Sequence, residues 1–326
     1  MQIDVCNGDA DGLCAVVQWR LHAPQGARLL TGLKRDIELL ERVQAVRGDE
    51  VLVCDISLRR NHSALLRLLD AGVSVRYFDH HEAGDIPVHP LLDAHIDTAS
   101  ATCTSLLVDR YLGGRFRAWA VVGAFGDNLI RVAERLALDA GLSAQECRQL
   151  RDLGESINYN AYGDQEQDVH IPPWQLFQTM VRYSNPLHLL QHESIGQELS
   201  ALRQGDLQQA KTLEPYRQTE RAKVYWLPDA AWSRRVIGSM GNALTSTDPA
   251  RAYALLRPAA GGGFVVSVRA PQHAQVGAVD LCRPFGGGGR MGAAGIDHLP
   301  LAQVEPFIRA FFATRWAHAP SAPGAP

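Results

Sequence analysis

Three short apolar runs in this chain each end in an acid or an imidazole. Residues 3–6 (Ile-Asp-Val-Cys) lead into Asp9-Ala10-Asp11-Gly12, residues 51–54 (Val-Leu-Val-Cys) into Asp55, and the largely apolar 73–78 into Asp79-His80-His81. Runs of this length, separated by stretches of helical periodicity, predict parallel strands buried on both faces and joined by crossover helices. An Asp at the tip of such a strand is costly unless it is paired or bound to a cation. Several such tips on one sheet edge converge where open α/β sheets hold their ligands. Carboxylate oxygens together with imidazole suit divalent ions such as Mn²⁺.

Taken in order, the pattern predicts a helix over 13–21, a strand over 28–33, a helix over 37–46, and a helix over 57–71 with Leu65, Leu66, Leu68 and Leu69 inward. Ser100 is expected to cap the helix that carries 106–112. The small, apolar run 119–125 ends at Gly126-Asp127-Asn128, and is read as a fourth strand tip bearing an acid. Ser143 and Glu146 have capping-box spacing, which starts a helix through 153. Residues 158–164 are expected to be a loop and 174–183 a helix. A long polar helix is expected over 194–221, interrupted at Gly205 and Pro215. Strands then follow at 223–227, 253–256 and 263–269, helices at 236–244, 276–285 and 301–316, and a disordered Ala/Pro/Ser/Gly tail at 317–326.

Composition narrows the class. The chain has 326 residues, 46% of them hydrophobic, enough for two domains with real cores. No apolar run is long enough to span a bilayer. Met1-Gln2-Ile3-Asp4 lacks the basic region and apolar core of a secretory signal. The six cysteines lack CxxC or CxxH spacing and are read as reduced, buried thiols of a cytoplasmic protein. A net charge of −3 gives no argument for coating long nucleic acid. The charge is uneven: residues 223–315 carry +5, leaving −8 for the rest. An acidic part suits cations and a basic part suits phosphate.

Each motif alone has a plainer reading. Asn7-Gly8-Asp9-Ala10-Asp11-Gly12 is an ordinary Asx turn and helix cap, and the glycine run Gly286-Gly287-Gly288-Gly289 is a flexible connector. Together, in this order, the motifs resemble the DHH phosphoesterase superfamily. The matching branch carries a second, DHH-associated domain and includes RecJ-type exonucleases, nanoRNase-type oligoribonucleases and cyclic-dinucleotide phosphodiesterases. The resemblance rests on that hexapeptide, on Asp55 after its strand, on Asp79-His80-His81, and on Gly126-Asp127-Asn128. It rests further on Ser267-Val268-Arg269 and on the segment from Phe285 to Gly295.

The resemblance implies an α/β protein of two domains. A parallel-sheet DHH domain would span 1–192, a helical linker 193–222, and a smaller α/β DHH-associated domain 223–316, with the active site in the interdomain cleft. Asp9 would bind a first metal and Asp11 a second, with Asp55 bridging and His80 and Asp127 completing the second site. Asp79 and His81 would be catalytic, His81 contacting the phosphate or supporting the ligands. Arg269, the N–H groups of Gly287, Gly288 and Gly289, and Arg290 would hold the far end of the substrate. Two Mn²⁺ ions are implied, with Mg²⁺ or Co²⁺ as substitutes.

The implied activity is hydrolysis of phosphodiester or phosphomonoester bonds in small nucleotides by metal-activated water. The partner would be a small nucleotide or a short single-stranded oligonucleotide, without a membrane. The oligomeric state is left open, a homodimer included. Two other classes stay in view: a nucleotide-binding protein with weak or lost catalysis, and an inorganic pyrophosphatase or polyphosphatase.

Two departures from the pattern stand out. Asn7 replaces the usual His of the first motif, and Val5 occupies the alternative His position. Arg290 follows the glycines where His is usual, and it cannot donate a proton near neutral pH. For residues 158–170 a packed surface insertion is weighed ahead of a lid in which Tyr159 or Tyr162 stacks on a base and His170 reaches phosphate.

Overall fold

The computed structural model describes residues 1–316, so the expected disordered tail lies outside the described residues. The chain divides into two compact units at Arg203–Gln204. Among the described residues no helix is long and apolar enough to cross a membrane.

The first unit begins with β1 (Gln2–Cys6), α1 (Ala10–His22), β2 (Arg28–Thr31), β3 (Glu50–Cys54), α2 (Leu58–Asp70), β4 (Ser74–Asp79) and β5 (Leu92–Ile96). The strands form one all-parallel sheet in the order β2-β1-β3-β4-β5. Successive side chains point to opposite faces. Ile3, Val5, Val51, Val53, Val75 and Tyr77 pack on the α2 face, whereas Cys6, Leu52, Cys54 and Phe78 pack on the α1 face. Both faces are covered, which is why these strands read as nearly continuous apolar runs.

The α1 face is built from α1 with α3 (Thr104–Tyr111), α4 (Arg117–Gly126), α5 (Ile130–Asp139), α6 (Ala144–Asn160), α7 (Pro173–Met180) and α8 (Pro186–His192). Residues 10–20 of α1 are buried on every side. Small residues let the helices close up. At Gly126 of α4 an added Cβ would lie 2.3 Å from the Ala10 methyl. Within β1 the buried Asp4 is held by Arg20 of α1 through two hydrogen bonds of 2.7 and 2.6 Å.

Several expectations are corrected. Residues 37–46 form no α-helix, only a single turn over Leu39–Arg42. Leu66 faces solvent, unlike Leu65, Leu68 and Leu69. Asp127 follows the helix α4, not a strand. Ser100 does not cap α3, which starts at Thr104 after Cys103. The capping box at Ser143 and Glu146 is present, but α6 runs on to Asn160 and absorbs the start of the expected loop. The edge strand β5 is an addition to the expected elements.

The division falls within α9 (Ile195–Lys211), which passes through Gly205 without a break. The second unit follows with β6 (Arg217–Gln218), β7 (Ala222–Trp226), α10 (Ala231–Thr247), β8 (Ala252–Pro258), β9 (Phe264–Arg269), α11 (Ala278–Cys282), β10 (Gly288–Gly289), β11 (Ala293–Leu299) and α12 (Val304–Ala313). Its mixed sheet has the order β10-β11-β9-β8-β7-β6. One face packs on α11 and α12 through Cys282, Phe307, Ile308 and Phe311. The other packs on α10 and the end of α9 through Val236, Met240 and Ala210.

Candidate metal centre

The C-terminal ends of β1, β3 and β4 and the end of α4 bring their acids and imidazoles together at one edge of the parallel sheet. The chain leaves β1 through Asn7-Gly8. A Cβ at Gly8 would fall 1.9 Å from the Gly32 carbonyl oxygen, so only glycine lets the two backbones pass this closely. Asp9 then caps α1, its Oδ1 accepting the Gly12 N–H at 3.1 Å. After β3, Asp55 turns into the left-handed region at φ 60° while its N–H donates to the Phe78 carbonyl at 3.0 Å. Asn128, next to Asp127, has φ 61°. These are the two non-glycine residues with positive φ among those described, and both flank the site. Strain of this kind gathers where a structure over-determines the position of functional groups.

His80 sits at the middle of the cluster. Its Nε2 lies 3.4 Å from Asp55 Oδ1, 3.9 Å from Asp11 Oδ2 and 4.0 Å from Asp127 Oδ2. Oxygen and nitrogen ligands about 2.0–2.2 Å from a shared ion are spaced about 3–4 Å from one another, so these separations suit a common cation. One ligand atom from each of Asp55, His80 and His81 also falls within 4.8 Å of the others. Asp79 is fully buried. Its Oδ1 is 2.7 Å from His81 Nδ1 and, among the described residues, its Oδ2 is a buried oxygen without a hydrogen-bond partner.

The expected site residues of the first unit do meet, in two layers. Asp9, Asp55, His80, His81 and Asp127 line a cleft of about 810 Å³ together with Asn7, Lys34, Arg59 and Arg60. Asp79 stands behind His81 and orients it, as a carboxylate does behind a ligating or catalytic imidazole. Asp11 is also behind the wall. Its carboxylate accepts the N–H groups of Thr104 at 2.7 Å and Ser105 at 2.8 Å, and so caps α3 from a distance.

Electrostatics set the demand for a cation. Burial, followed by repulsion from Asp9, Asp11, Asp79 and Asp127, pushes the Asp55 carboxyl up. Burial and repulsion from Asp11 raise Asp127 to about 6, with His80 opposing. Burial would raise Asp9 too, but the charge and hydrogen bond of Lys34 hold it below the usual carboxylate range. The hydrogen bond that His81 Nδ1 donates to the Asp79 carboxylate raises His81 against the effect of burial. The donor set therefore fits a divalent cation: buried, mutually repelling carboxylates with a central imidazole, and an orphaned carboxylate oxygen beside them.

A pH dependence follows. Asp127 has a folded pKa above its unfolded value, so its ionised form costs the metal-free protein stability above about pH 6. That cost is lost as pH falls and the carboxylate is protonated. Protons and the cation compete for the same oxygens. Affinity for a divalent ion, measured by titration calorimetry with Mn²⁺, is expected to fall as pH drops through about 6, by about tenfold per pH unit for each proton displaced.

Sequence reasoning missed Lys34. Its Nζ donates to Asp9 Oδ2 at 2.6 Å and to Asn158 Oδ1 at 2.8 Å. One signal was present: the chain has three lysines against 29 arginines, and Lys34 is the only lysine before Lys211. Arg59 and Arg60, on the first turn of α2, were missed as well. Residues 158–170 form a tied-down segment. The buried Asn160 accepts the N–H groups of His170 and Ile171, and Tyr159 is buried. Tyr162 lies beside the Lys34 ammonium, which is 5.7 Å from its ring centre.

In the second unit, the Arg269 guanidinium donates to Asn242 Oδ1, Ser267 Oγ, Val268 O and Gly238 O. The Gly287 N–H is used on the Cys282 carbonyl at 3.0 Å, and so is not offered to an anion as expected. Gly288 and Gly289 pair with Gly295 and Ala294 of β11, and Arg290 is exposed.

No protein-family model and no curated protein sequence matches the chain. Solved structures do. A manganese-bound RecJ exonuclease aligns with a TM-score of 0.62 at 19% identity, over 95% of this chain and 89% of that one. RecJ from Thermus thermophilus in complex with Mn²⁺ aligns with a TM-score of 0.61 at 22% identity, covering 96% of this chain and 51% of that one. The pGpG-specific phosphodiesterase PggH from Vibrio cholerae aligns with a TM-score of 0.53 at 13% identity, over 95% and 96% of the two chains. The chain has the fold of these DHH proteins across nearly its whole length, as the motifs imply.

Proposed function

We propose that the chain is a divalent-cation-dependent phosphoesterase acting on small nucleotides: short single-stranded oligonucleotides, dinucleotides or bisphosphonucleosides. The observation that carries this reading is the Asp55–His80–Asp127 cluster at the tip of the parallel sheet, in a cleft whose wall also bears Arg59 and Arg60. The manganese named with the RecJ structures and the substrate class named with PggH point the same way. Mn²⁺ is the ion proposed, since mixed carboxylate and imidazole donors suit it. The six free cysteines, five of them buried, fit the reducing cytoplasm.

Asp55, His80 and Asp127 would hold the cation, with Asp11 behind them. When bound, the ion would polarise the phosphoryl group and lower the pKa of attacking water. The chain's own groups do the rest. Arg60, at the cleft wall, would hold a phosphate by forked hydrogen bonds. His81, oriented through Nδ1 by Asp79, would present Nε2 to a phosphoryl or leaving oxygen.

A binding protein with weak or absent turnover is the second reading, favoured by one observation: Lys34 occupies the outer oxygen of Asp9. The deciding measurement is release of mononucleotides or phosphate, with and without Mn²⁺, from a panel of short RNA and DNA oligomers, linear and cyclic dinucleotides, bisphosphonucleosides and pyrophosphate. Turnover of a nucleotide substrate that is lost on chelation and in Asp127→Asn is expected. Binding of every nucleotide without turnover would leave the second reading standing. Hydrolysis of pyrophosphate alone would assign a pyrophosphatase.

A further inference from the structure

Lys34 is placed as a cation of the centre, not as a surface charge. Its Nζ is 2.6 Å from Asp9 Oδ2, and the other oxygen of that carboxylate already accepts the Gly12 N–H, so both oxygens of Asp9 are engaged. The ammonium has a built seat. Asn158 Oδ1 accepts from it at 2.8 Å and the Tyr162 ring lies beside it. The Lys34 N–H donates to the Ala161 carbonyl at 3.0 Å.

The residue at position 7 completes the arrangement. Asn7 Nδ2 donates to the Lys34 carbonyl at 3.3 Å, and Asn7 Oδ1 accepts the Asp9 N–H at 3.2 Å. One short amide thus fixes both the lysine's backbone and the carboxylate it pairs with. An imidazole at position 7 could ligate an ion beside Asp9, whereas this amide is spent on holding Lys34.

The charges then divide cleanly. Asp9 is balanced by Lys34. Asp55, His80 and Asp127 remain as the donor set for a divalent ion, with Asp11 behind them, 3.9 Å from the imidazole and held by the Thr104 and Ser105 N–H groups. We infer that the Lys34 ammonium stands in place of one of the two cations expected here, so that the centre binds a single divalent ion per chain. Resting on the phosphoesterase reading, Lys34 supplies the second positive charge facing the phosphoryl group. An ammonium differs from a metal ion in this role: it donates hydrogen bonds to phosphoryl oxygens but does not activate water.

The test is the stoichiometry of Mn²⁺ on the full-length protein, by equilibrium dialysis with metal analysis and by electron paramagnetic resonance. Neither readout requires turnover. The wild-type chain is expected to hold one Mn²⁺ with the spectrum of an isolated ion. The double variant Asn7→His/Lys34→Met, which frees Asp9 and restores an imidazole, is expected to hold two, with a spin-coupled spectrum. Two ions in the wild type would overturn the inference at once, whether or not the variant folds. One ion in a folded double variant would overturn it too, since Lys34 would not be what excludes the second. No bound ion in the wild type would sink both this inference and the phosphoesterase reading. One ion without turnover would remove only the latter.

Discussion

Asp55→Asn is expected to abolish Mn²⁺ binding while leaving the fold intact. Asp55 sits at φ 60°, a conformation Asn tolerates about as well as Asp, so the exchange removes charge without straining the turn. It also removes one of several buried carboxylates that repel one another, which is the second-largest reason, after burial, that Asp55 is pushed up. The metal-free variant should therefore melt no lower than the wild type, and the rise in Tm expected when the wild type binds Mn²⁺ should be absent from the variant. Hydrolysis should fall on the order of 10³-fold, beyond the 10–100-fold typical of losing a residue that only supports a ligand. Calorimetry with and without Mn²⁺ separates these effects. A variant that keeps its Mn²⁺-dependent Tm rise would remove Asp55 from the donor set.

The largest expected loss of stability lies away from the cleft, at the Asp4–Arg20 pair. Both side chains are buried, at 1% and 6% exposure, and the guanidinium grips both carboxylate oxygens. Burial pushes Asp4 up, and the hydrogen bond and charge of Arg20 offset this only in part. Arg20→Met leaves the carboxylate stranded, which typically costs about 3–5 kcal/mol. For a unit of this size that is a fall in Tm of roughly 10 °C. The sign with pH is fixed. Without Arg20 the folded pKa of Asp4 rises further above the unfolded value, so the penalty is full at neutral pH and shrinks on acidification as Asp4 takes a proton. Adding Asp4→Val to Arg20→Met should recover most of the loss, because two apolar groups replace an ion pair at little cost. Thermal melts of the single and double variants at two pH values would show whether the pair behaves this way.

What can be read from the sequence depends on whether the governing contact is local. β1, β3 and β4 are legible because burial on both faces writes a continuous apolar run. The capping box at Ser143 and Glu146 is legible because it is closed within four residues. Residues 37–46 have helical periodicity, and Leu39, Leu40 and Val43 are indeed buried, yet the segment forms a single turn. Its backbone is satisfied instead by Asn61 of α2, which donates to the Ile37 carbonyl and accepts the Leu40 N–H. Likewise α3 is capped by Asp11, 93 residues earlier, and no local Ser or Thr announces it. Asp127 reads as a strand tip because a short run of apolar small residues does not separate strand from buried helix. β5, with Asp93 and His95 in its alternation, is a half-buried edge and writes only a weak pattern.

The candidate centre follows the same rule. Asp9, Asp55, His80, His81 and Asp127 announce themselves as polar residues closing apolar runs. Asp79 reads as catalytic, although its place behind His81 depends on a turn of the chain that spacing does not reveal. Lys34 is invisible because it reaches Asp9 from beyond β2, and its partner Asn158 comes from the far end of α6.

The burial of α1 on every side has a further consequence. Asp9 and Asp11 stand on the first turn of a helix whose next nine residues have no solvent-facing side. The motif loop cannot shift without displacing the centre of the unit. In many enzymes the working parts soften first on heating, and activity is lost well before the molecule melts. Here Asp9, which pairs with Lys34, and Asp11, which backs the candidate donor set, are fastened to the most deeply buried helix of the unit, so loss of the candidate centre and global unfolding should come at the same temperature. Tuning this protein for cold or heat would then have to act through its interior, with little slack left for the cleft to adapt by itself.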